Sequence, residues 1–186
     1  MQMNFVVFDG HMKWTLNCNN QVILCYKDGV YKFPFQSKKS KLNTEIDKIF
    51  ISQNDKTEII TDIIKSAALQ KHGTLIIMSD TANSEATRLC KVRRGFKIES
   101  LALYKQKTVI EKISSIDGAL LIDFNGICYA IGVILDGIVK NSGNSARGAR
   151  YNSALTYIEN HEDISCVAVV ISEDGSIDLI PSKSMH

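Results

Sequence analysis

Uninterrupted apolar runs of strand length form the clearest pattern along this chain. Thr74–Ser79 and Cys166–Ile171 contain no charged residue, which is typical of strands that are covered on both faces. Residues 116–122 and 127–135 flank the pair Asn125-Gly126, a strong signal for a tight hairpin. These four runs predict the central strands of a sheet.

Helical patterns separate these strands. Residues 54–71, 84–93 and 107–114 have the spacing of helices, and a further helix is predicted to begin near Gly148. Its apolar positions recur at intervals of three and four residues and are Tyr151, Ala154, Leu155 and Ile158. Residues 46–52 are predicted to form a strand and residues 101–103 a short connection. Helices that alternate with buried strands predict an α/β fold, with a mixed β-sheet flanked by helices.

The first part of the chain is richer in strands. Residues 3–8 and 21–26 are apolar, and the turn at Asp28-Gly29 leads into a predicted strand at 30–35. We therefore expect an N-terminal α/β extension over residues 1–70, β-rich in its first part and packed on the core, a core over 71–181 and a tail over 182–186.

Composition excludes several classes of protein. The chain has 186 residues and a net charge of +2, too small to predict direct nucleic-acid binding or attraction to a membrane surface. The five cysteines are scattered without a C-x-x-C spacing, so we expect reduced thiols. No signal peptide or membrane-length apolar run is present in the sequence, and we expect a cytoplasmic protein.

Polar residues at the ends of two elements are the candidates for chemistry. Asp117 stands at the mouth of a buried strand, where Gly118 would let a ligand approach the backbone. Arg147 and Arg150 lie at a helix start. The free N–H groups there favour a bound anion, and without one the positive end of the helix dipole disfavours the two arginine charges. A phosphate site is one interpretation, and pairing with an acidic neighbour is the other. Glu173, in a turn after a buried strand, becomes a metal ligand only if the fold brings it to Asp117.

Several other polar residues have both a structural and a functional interpretation. Asp123 and Asp136 fit turn carboxylates, and His72 fits a helix-capping position better than a ligand. The lysines of 38–41 fit a solvated loop better than an anion site, and the cations of 91–97 fit the end of a helix better than a phosphate site.

Taken in order, these motifs resemble the diadenylate cyclase family, the DisA_N-type DAC domain. Asp117-Gly118-Ala119 matches the Asp-Gly-Ala motif of that family, and residues 148–154 match the frame of its Gly-Thr-Arg-His-Arg-Ala-Ala segment. Residues 167–175 are similar to its apolar strand and Ser-Glu-Glu-x-Gly turn. The resemblance covers roughly residues 70–181.

The resemblance implies a protein that binds ATP or another nucleoside triphosphate and joins two molecules into cyclic di-AMP with Mg²⁺ or Mn²⁺. It implies catalytic roles for Asp117 and Arg150, and metal binding by Asp117 and Glu173. The implied nucleotide contacts are Gly118, Ala119, Leu120, Arg147, Gly148, Ala149, Tyr151, Asn152 and Ser153. Because the product is two-fold symmetric, a homodimer or higher homo-oligomer is expected.

The second motif departs from the family pattern. Ala149, Tyr151 and Asn152 stand where the family has threonine, histidine and a second arginine. Losing one hydrogen-bond donor to the charge that develops in the transition state typically lowers the catalytic rate by about 10² to 10³. Three hypotheses follow: a diadenylate cyclase, a catalytically impaired sensor domain of a larger protein that binds nucleotide, and a scaffold without ligand.

Overall fold

The computed structural model describes residues 4–18, 21–32, 45–46, 48–50, 54–70, 72–139 and 148–185. The chain forms two compact units, Met1–Glu45 and Ile46–His186. The predicted fold class is confirmed, because a mixed sheet flanked by helices follows an N-terminal antiparallel sheet. The predicted domain boundaries at residues 70 and 181 stay predictions.

The N-terminal unit is a four-stranded antiparallel meander in which each strand pairs with the next along the chain. Asp28 and Gly29 both have positive φ angles, 49° and 85°, as a two-residue hairpin turn requires. The strands are β1 (Asn4–Gly10), β2 (Lys13–Cys18), β3 (Gln21–Lys27) and β4 (Val30–Lys32).

The second unit contains a six-stranded sheet. Its strands are β5 (Thr74–Ser79), β6 (Phe96–Ala102), β7 (Ala119–Ile122), β8 (Ile127–Val133), β9 (Cys166–Ile171) and β10 (Ile177–Pro181), in the order β10-β9-β5-β7-β8-β6. β5 and β7 run parallel, whereas the other described pairs are antiparallel. Every residue of β5, β7 and β9 is buried, which confirms that these apolar runs form the centre of the sheet.

The helices are α1 (Asn54–Ala67), α2 (Ala82–Lys91), α3 (Lys107–Ile113) and α4 (Gly148–Asn160), with 3₁₀ turns at Leu103–Lys105 and Lys183–Met185. Buried side chains of α2 and α4 share one core cluster with alternate residues of β5, β7 and β9. Because successive strand residues point to opposite faces, Ile76 and Leu120 are buried on the other face. Both faces of the sheet are therefore covered. In the part of the chain that the structure describes, none of the helices combines the length and the hydropathy needed to cross a membrane.

Four sequence predictions of local structure are wrong or incomplete. Residues 46–52 were expected to form a strand, but the described residues around Ile46 are helical and the Phe50 N–H donates to the Ile46 carbonyl (2.9 Å). Residues 101–103 were expected to form a connection, but 101 and 102 belong to β6, an edge strand with mostly exposed side chains. β2 and β10 were not predicted. β2 and β10 are mostly partly buried and mix apolar with polar residues, so neither forms an uninterrupted apolar run.

Candidate functional site

The neighbouring strands β9, β5 and β7 have one terminus each at the same end of the six-stranded sheet. In the parallel pair, Leu75 lies opposite Ala119, so the residues before β5 and before β7 lie at the same edge. In the antiparallel pair, Ile171 at the end of β9 lies opposite Thr74. We call the group Gly73, Thr74, Asp117, Gly118 and Ile171 the site edge. Gly73 directly precedes β5 and Asp117 lies two residues before β7, so both stand at this end of two adjacent strands.

Arg150 reaches this edge from the first turn of α4. A Cβ atom built on Gly73 would lie 2.8 Å from Arg150 Nη1 and 3.4 Å from its Cζ, so the guanidinium group lies against the Gly73 Cα. The same Cβ would lie 3.0 Å from the Ile171 carbonyl oxygen. The fold therefore brings the two residues with predicted catalytic roles, Asp117 and Arg150, to the same edge of the sheet.

Gly118 has a structural reason to be glycine. Its φ angle is +104°, and an added Cβ would lie 2.5 Å from the Gly132 carbonyl carbon and 2.8 Å from the Val133 nitrogen. The missing side chain therefore makes room for the backbone of β8, not only for a ligand as expected from the sequence. The exposed Asp117 carboxylate accepts a hydrogen bond from the Gly118 N–H through Oδ1 (3.1 Å).

Ala119 and Leu120, which were predicted to line a nucleotide, have buried side chains. Only their backbone atoms remain to contact a ligand at this edge. Glu173 is exposed in the turn that follows β9, two residues beyond Ile171. That turn is ordered by hydrogen bonds from the Ser176 N–H to Asp174 Oδ1 (3.0 Å) and from the Gly175 N–H to the Ser172 carbonyl (2.8 Å).

The first residues of α4 differ in their exposure to solvent. Gly148 and Ala149 are exposed, and Gly148 has a positive φ of 80°. Tyr151 is partly buried and packs against the core cluster of α2, α4 and the sheet. The prediction for Arg147 falls outside the described residues, as does the loop interpretation of 38–41.

A groove lies next to the first half of α4, between this helix and the segment that follows β8. It has a volume of about 350 Å³ and is bounded by the segment after β8 and by α4. It is open to solvent, and its lining residues on α4 begin two positions after Arg150. The lining residues are Arg94, Leu135, Asp136, Gly137, Val139, Asn152, Ser153 and Thr156.

Arg88 fixes one wall of this groove. Its guanidinium donates two hydrogen bonds to Asp136 (2.7 and 2.8 Å) and two to Glu85 (2.6 and 2.9 Å). These bonds from Arg88 hold the pKa of Asp136 below its ordinary value. Glu85 also accepts a bond from the Tyr157 hydroxyl (2.9 Å) on α4. Burial alone would raise the pKa of Glu85, but the bonds from Arg88 and Tyr157 lower it. Asp136 is thus part of an ion-pair network that joins α2 to α4.

One structural interpretation from the sequence is confirmed. Asp123 is a turn carboxylate that accepts hydrogen bonds from the N–H groups of Asn125 (2.9 Å) and Ile127 (2.9 Å) and from the Tyr129 hydroxyl (3.1 Å). The five cysteines, all in the described part of the chain, form no disulfide, and their reduced state stays a prediction.

Sequence reasoning missed two residues of the site edge. Gly73 was not among the predicted site residues, although it provides the space for Arg150. Thr74 is 1% exposed, and its hydroxyl has no hydrogen-bond partner within the described part of the chain. Their position directly before a fully buried strand was the available signal.

Comparison with known families decides the identity of this fold. The family model described as DAC, DisA bacterial checkpoint controller nucleotide-binding, matches residues 61–185, more than half of the chain. This chain belongs to the DAC family. The resemblance inferred from the Asp-Gly-Ala and arginine motifs is thereby confirmed, and the DAC region contains the whole site edge, α4 and the groove.

Two solved structures are similar to this DAC protein. A cysteine double mutant of DacA from Staphylococcus aureus shares 18% identity, with 70% of this chain and 89% of that chain covered and a TM-score of 0.49. A hypothetical membrane spanning protein from Bacillus cereus shares 20% identity, with 68% of this chain and 62% of that chain covered and a TM-score of 0.47. A comparison with curated proteins found no match.

Proposed function

We propose that this DAC protein is a diadenylate cyclase-like nucleotidyltransferase that condenses two ATP molecules, or two related triphosphates, into a cyclic dinucleotide. The observation that carries the proposal is the position of the Arg150 guanidinium on Gly73, one strand away from Asp117. A cation and a carboxylate at one open edge suit a nucleotide whose phosphates and ribose hydroxyl must be held together.

In the proposed reaction, the 3′-oxygen of each nucleotide attacks the α-phosphorus of the other. A new 3′-oxygen–phosphorus bond forms, the bond between the α-phosphorus and the bridging oxygen breaks, and pyrophosphate leaves. Asp117 receives the hydroxyl proton or orients the hydroxyl, and Arg150 binds phosphate oxygens. Two such half-sites must face each other, so a two-fold pairing of DAC units is part of the proposal.

We also propose a divalent cation, Mg²⁺ or Mn²⁺, at this edge. Asp117 and Glu173 offer carboxylate oxygens, which hard cations prefer, and nucleotide phosphates commonly complete such sites. When bound, the ion would neutralise charge on the phosphates. Within the residues that the structure describes, no group of three or more His, Cys, Asp or Glu side chains is placed to hold a metal by itself.

A second candidate function is nucleotide binding without turnover. Tyr151 packs against the core, and neither Tyr151 nor Asn152 supplies the second cation of the family motif. The site edge and the groove beside α4 would still bind a nucleotide, and the DAC unit would signal its presence to another module.

Nucleotide binding and product formation, measured separately, test both candidates. We expect the full chain with ATP or GTP and Mn²⁺ to yield a cyclic dinucleotide detectable by mass spectrometry. Asp117→Asn abolishes product, whereas Arg150→Gln weakens triphosphate binding about tenfold to a hundredfold, because a charge-assisted hydrogen bond contributes about 1.5–3 kcal/mol. Glu99→Gln on the β6 edge and Arg93→Gln, both exposed, are matched controls that leave binding and product unchanged.

The outcomes separate the candidates. Binding without product in the folded wild-type chain would favour the second candidate over the first. Absence of binding to every triphosphate tested would reject both.

A further inference from the structure

One face of the N-terminal sheet carries two adjacent rows of apolar side chains, with Asn4 and Cys18 beyond them at one end. Cross-strand neighbours share a face, and Phe8, Trp14, Tyr26 and Tyr31 lie level with one another across all four strands. Residues two positions along each strand share that face, and they form a second, aliphatic row. We call these seven side chains the apolar face: Val6, Phe8, Trp14, Leu16, Leu24, Tyr26 and Tyr31.

The side chains of the apolar face are exposed or only partly buried. Phe8 is 78% exposed, Tyr31 63% and Val6 46%, and no hydrophobic residue of the described N-terminal strands belongs to the buried core. The rings of Trp14, Tyr26 and Tyr31 contact one another, with the Trp14 and Tyr26 rings stacked at 5.3 Å. A sheet with one apolar face normally buries it against a second layer, and a patch of this kind marks an interaction site.

The opposite face has a different character. Lys13 lies opposite Lys27 in the β2–β3 ladder, and this face also holds Thr15, Asn17 and the exposed apolar side chains of Phe5, Val7 and Val30. The two faces therefore differ in chemistry although they belong to the same strands. Only the apolar face can be removed from water without burying charged groups.

The chemistry of the apolar face fits a second copy of itself. Its seven side chains carry no charge, so two copies can be placed face to face without opposing like charges, and the cores of homodimer interfaces are apolar in this way. Aromatic side chains bury about 150–250 Å² each when covered completely, but four of the seven side chains are already partly buried, so the apolar face offers roughly 500 Å² per chain. Two copies would bury roughly 1,000 Å², the lower bound for a specific interface, which predicts a weak dimer.

We propose that the apolar face of one chain packs on the apolar face of a second chain as a two-layer β-sandwich. The two sheets would lie about 10 Å apart, as sheets in β-sandwiches do, related by a two-fold axis in the plane between them. This pairing uses the N-terminal sheet alone and is independent of nucleotide binding at the site edge.

The chain contains a single tryptophan, Trp14, and it lies on the apolar face, so its fluorescence reports directly on this surface. We expect the emission of the full chain without nucleotide to shift to shorter wavelength as concentration rises. Over the same range, light scattering should show the mass increasing from 20.7 kDa towards twice that value.

Val6 and Val7 provide a matched pair of variants. They are adjacent in β1, 46% and 39% exposed, and point to opposite faces. Val6→Lys would place an ammonium group in the interface and weaken the dimer by at least about a hundredfold, whereas Val7→Lys should dimerise as the wild type does. Circular dichroism confirms folding, and Phe8→Ser replaces Val6→Lys if that variant does not fold.

Three results would overturn the proposal. One is a wild-type chain that remains a monomer with unchanged emission at every concentration. Another is a monomer whose emission is already at short wavelength at the lowest concentration, which would mean that the chain covers this face itself. The third is a dimer that the two lysine variants weaken equally.

Discussion

At the scale of single residues, the absence of a side chain at Gly73 is what admits the Arg150 guanidinium to the site edge. No positive φ angle constrains Gly73, so only the space next to it excludes a larger residue. An added methyl group would press on the flexible end of Arg150 and on the rigid Ile171 carbonyl. The position of the cation therefore depends on a residue that has no side chain.

Gly73→Ala is expected to displace Arg150 and to lower triphosphate affinity about tenfold to a hundredfold, with a loss of stability of about 1–3 kcal/mol from crowding. Gly95→Ala is the control, because its Cβ would be equally crowded, 2.8 Å from Val133 Cγ2, without touching Arg150. Calorimetric titration together with denaturant unfolding measures both quantities. Equal losses of affinity in the two variants would contradict this role of Gly73.

At the scale of elements, the ion-pair network of Arg88 joins α2, α4 and the segment after β8. The Glu85 side chain is 11% exposed and accepts hydrogen bonds from both Arg88 and Tyr157. Leaving Glu85 without these partners would therefore destabilise the fold more than leaving any other member of the network unpaired. The folded-state pKa values of Glu85 and Asp136 both lie below their ordinary values. Such carboxylates stabilise the fold above their unfolded pKa, near 4, and the contribution is lost as pH falls through the folded pKa.

Arg88→Gln is therefore expected to lower the free energy of unfolding by about 1–3 kcal/mol at neutral pH, because it leaves a largely buried carboxylate without its cation. The difference from wild type should shrink as pH falls below about 4, where the carboxylates become protonated. Urea unfolding at several pH values measures this. Lys183→Gln, which removes an exposed pair with Glu162, should have little effect, and a difference that stays constant with pH would contradict the assignment.

The elements also show what the sequence could and could not predict. Strands buried on both faces and the two hairpins with Asp-Gly or Asn-Gly turns were predictable, because each leaves a local signature. β2 alternates Trp14 and Leu16 with Lys13 and Thr15, a signal that was present but not used. β6 is an exposed edge strand containing Lys97 and Glu99, and its pairing with β8 depends on tertiary structure.

The candidate site was predictable residue by residue but not as an arrangement. Asp117 and Arg150 stand out by their positions at element ends. Their proximity depends on the parallel register of β5 with β7 and on the direction from which α4 approaches. Neither is encoded within a few residues, and the contribution of Gly73 follows only from that register.

At the scale of the whole molecule, burial divides the cysteines into two classes. Cys128 and Cys166 lie inside the core of the second unit, and burial raises their pKa values to about 12 and about 11. Cys18, Cys25 and Cys90 are partly exposed. Thiolate is the reactive form, so the buried pair should react only when the core opens.

Alkylation of the folded protein at neutral pH should therefore modify Cys18, Cys25 and Cys90 first. The alkylation rates of Cys128 and Cys166 should be at least about a hundredfold lower. Peptide mass spectrometry against time measures each site. In denaturant all five should react at similar rates, which is the control. Rapid modification of Cys128 in the folded chain would show that the core opens far more readily than its packing implies.

The order of strands in the larger sheet bears on how this chain is made. β5 lies at the centre of the sheet, yet one of its two neighbours, β9, is encoded more than eighty residues later. On a ribosome, β5 emerges long before β9 and leaves one side of an apolar strand unpaired while synthesis continues. Distant pairings of this kind slow folding and expose strand edges to misassociation, so nascent chains of this protein are expected to depend on protection until β9 has emerged.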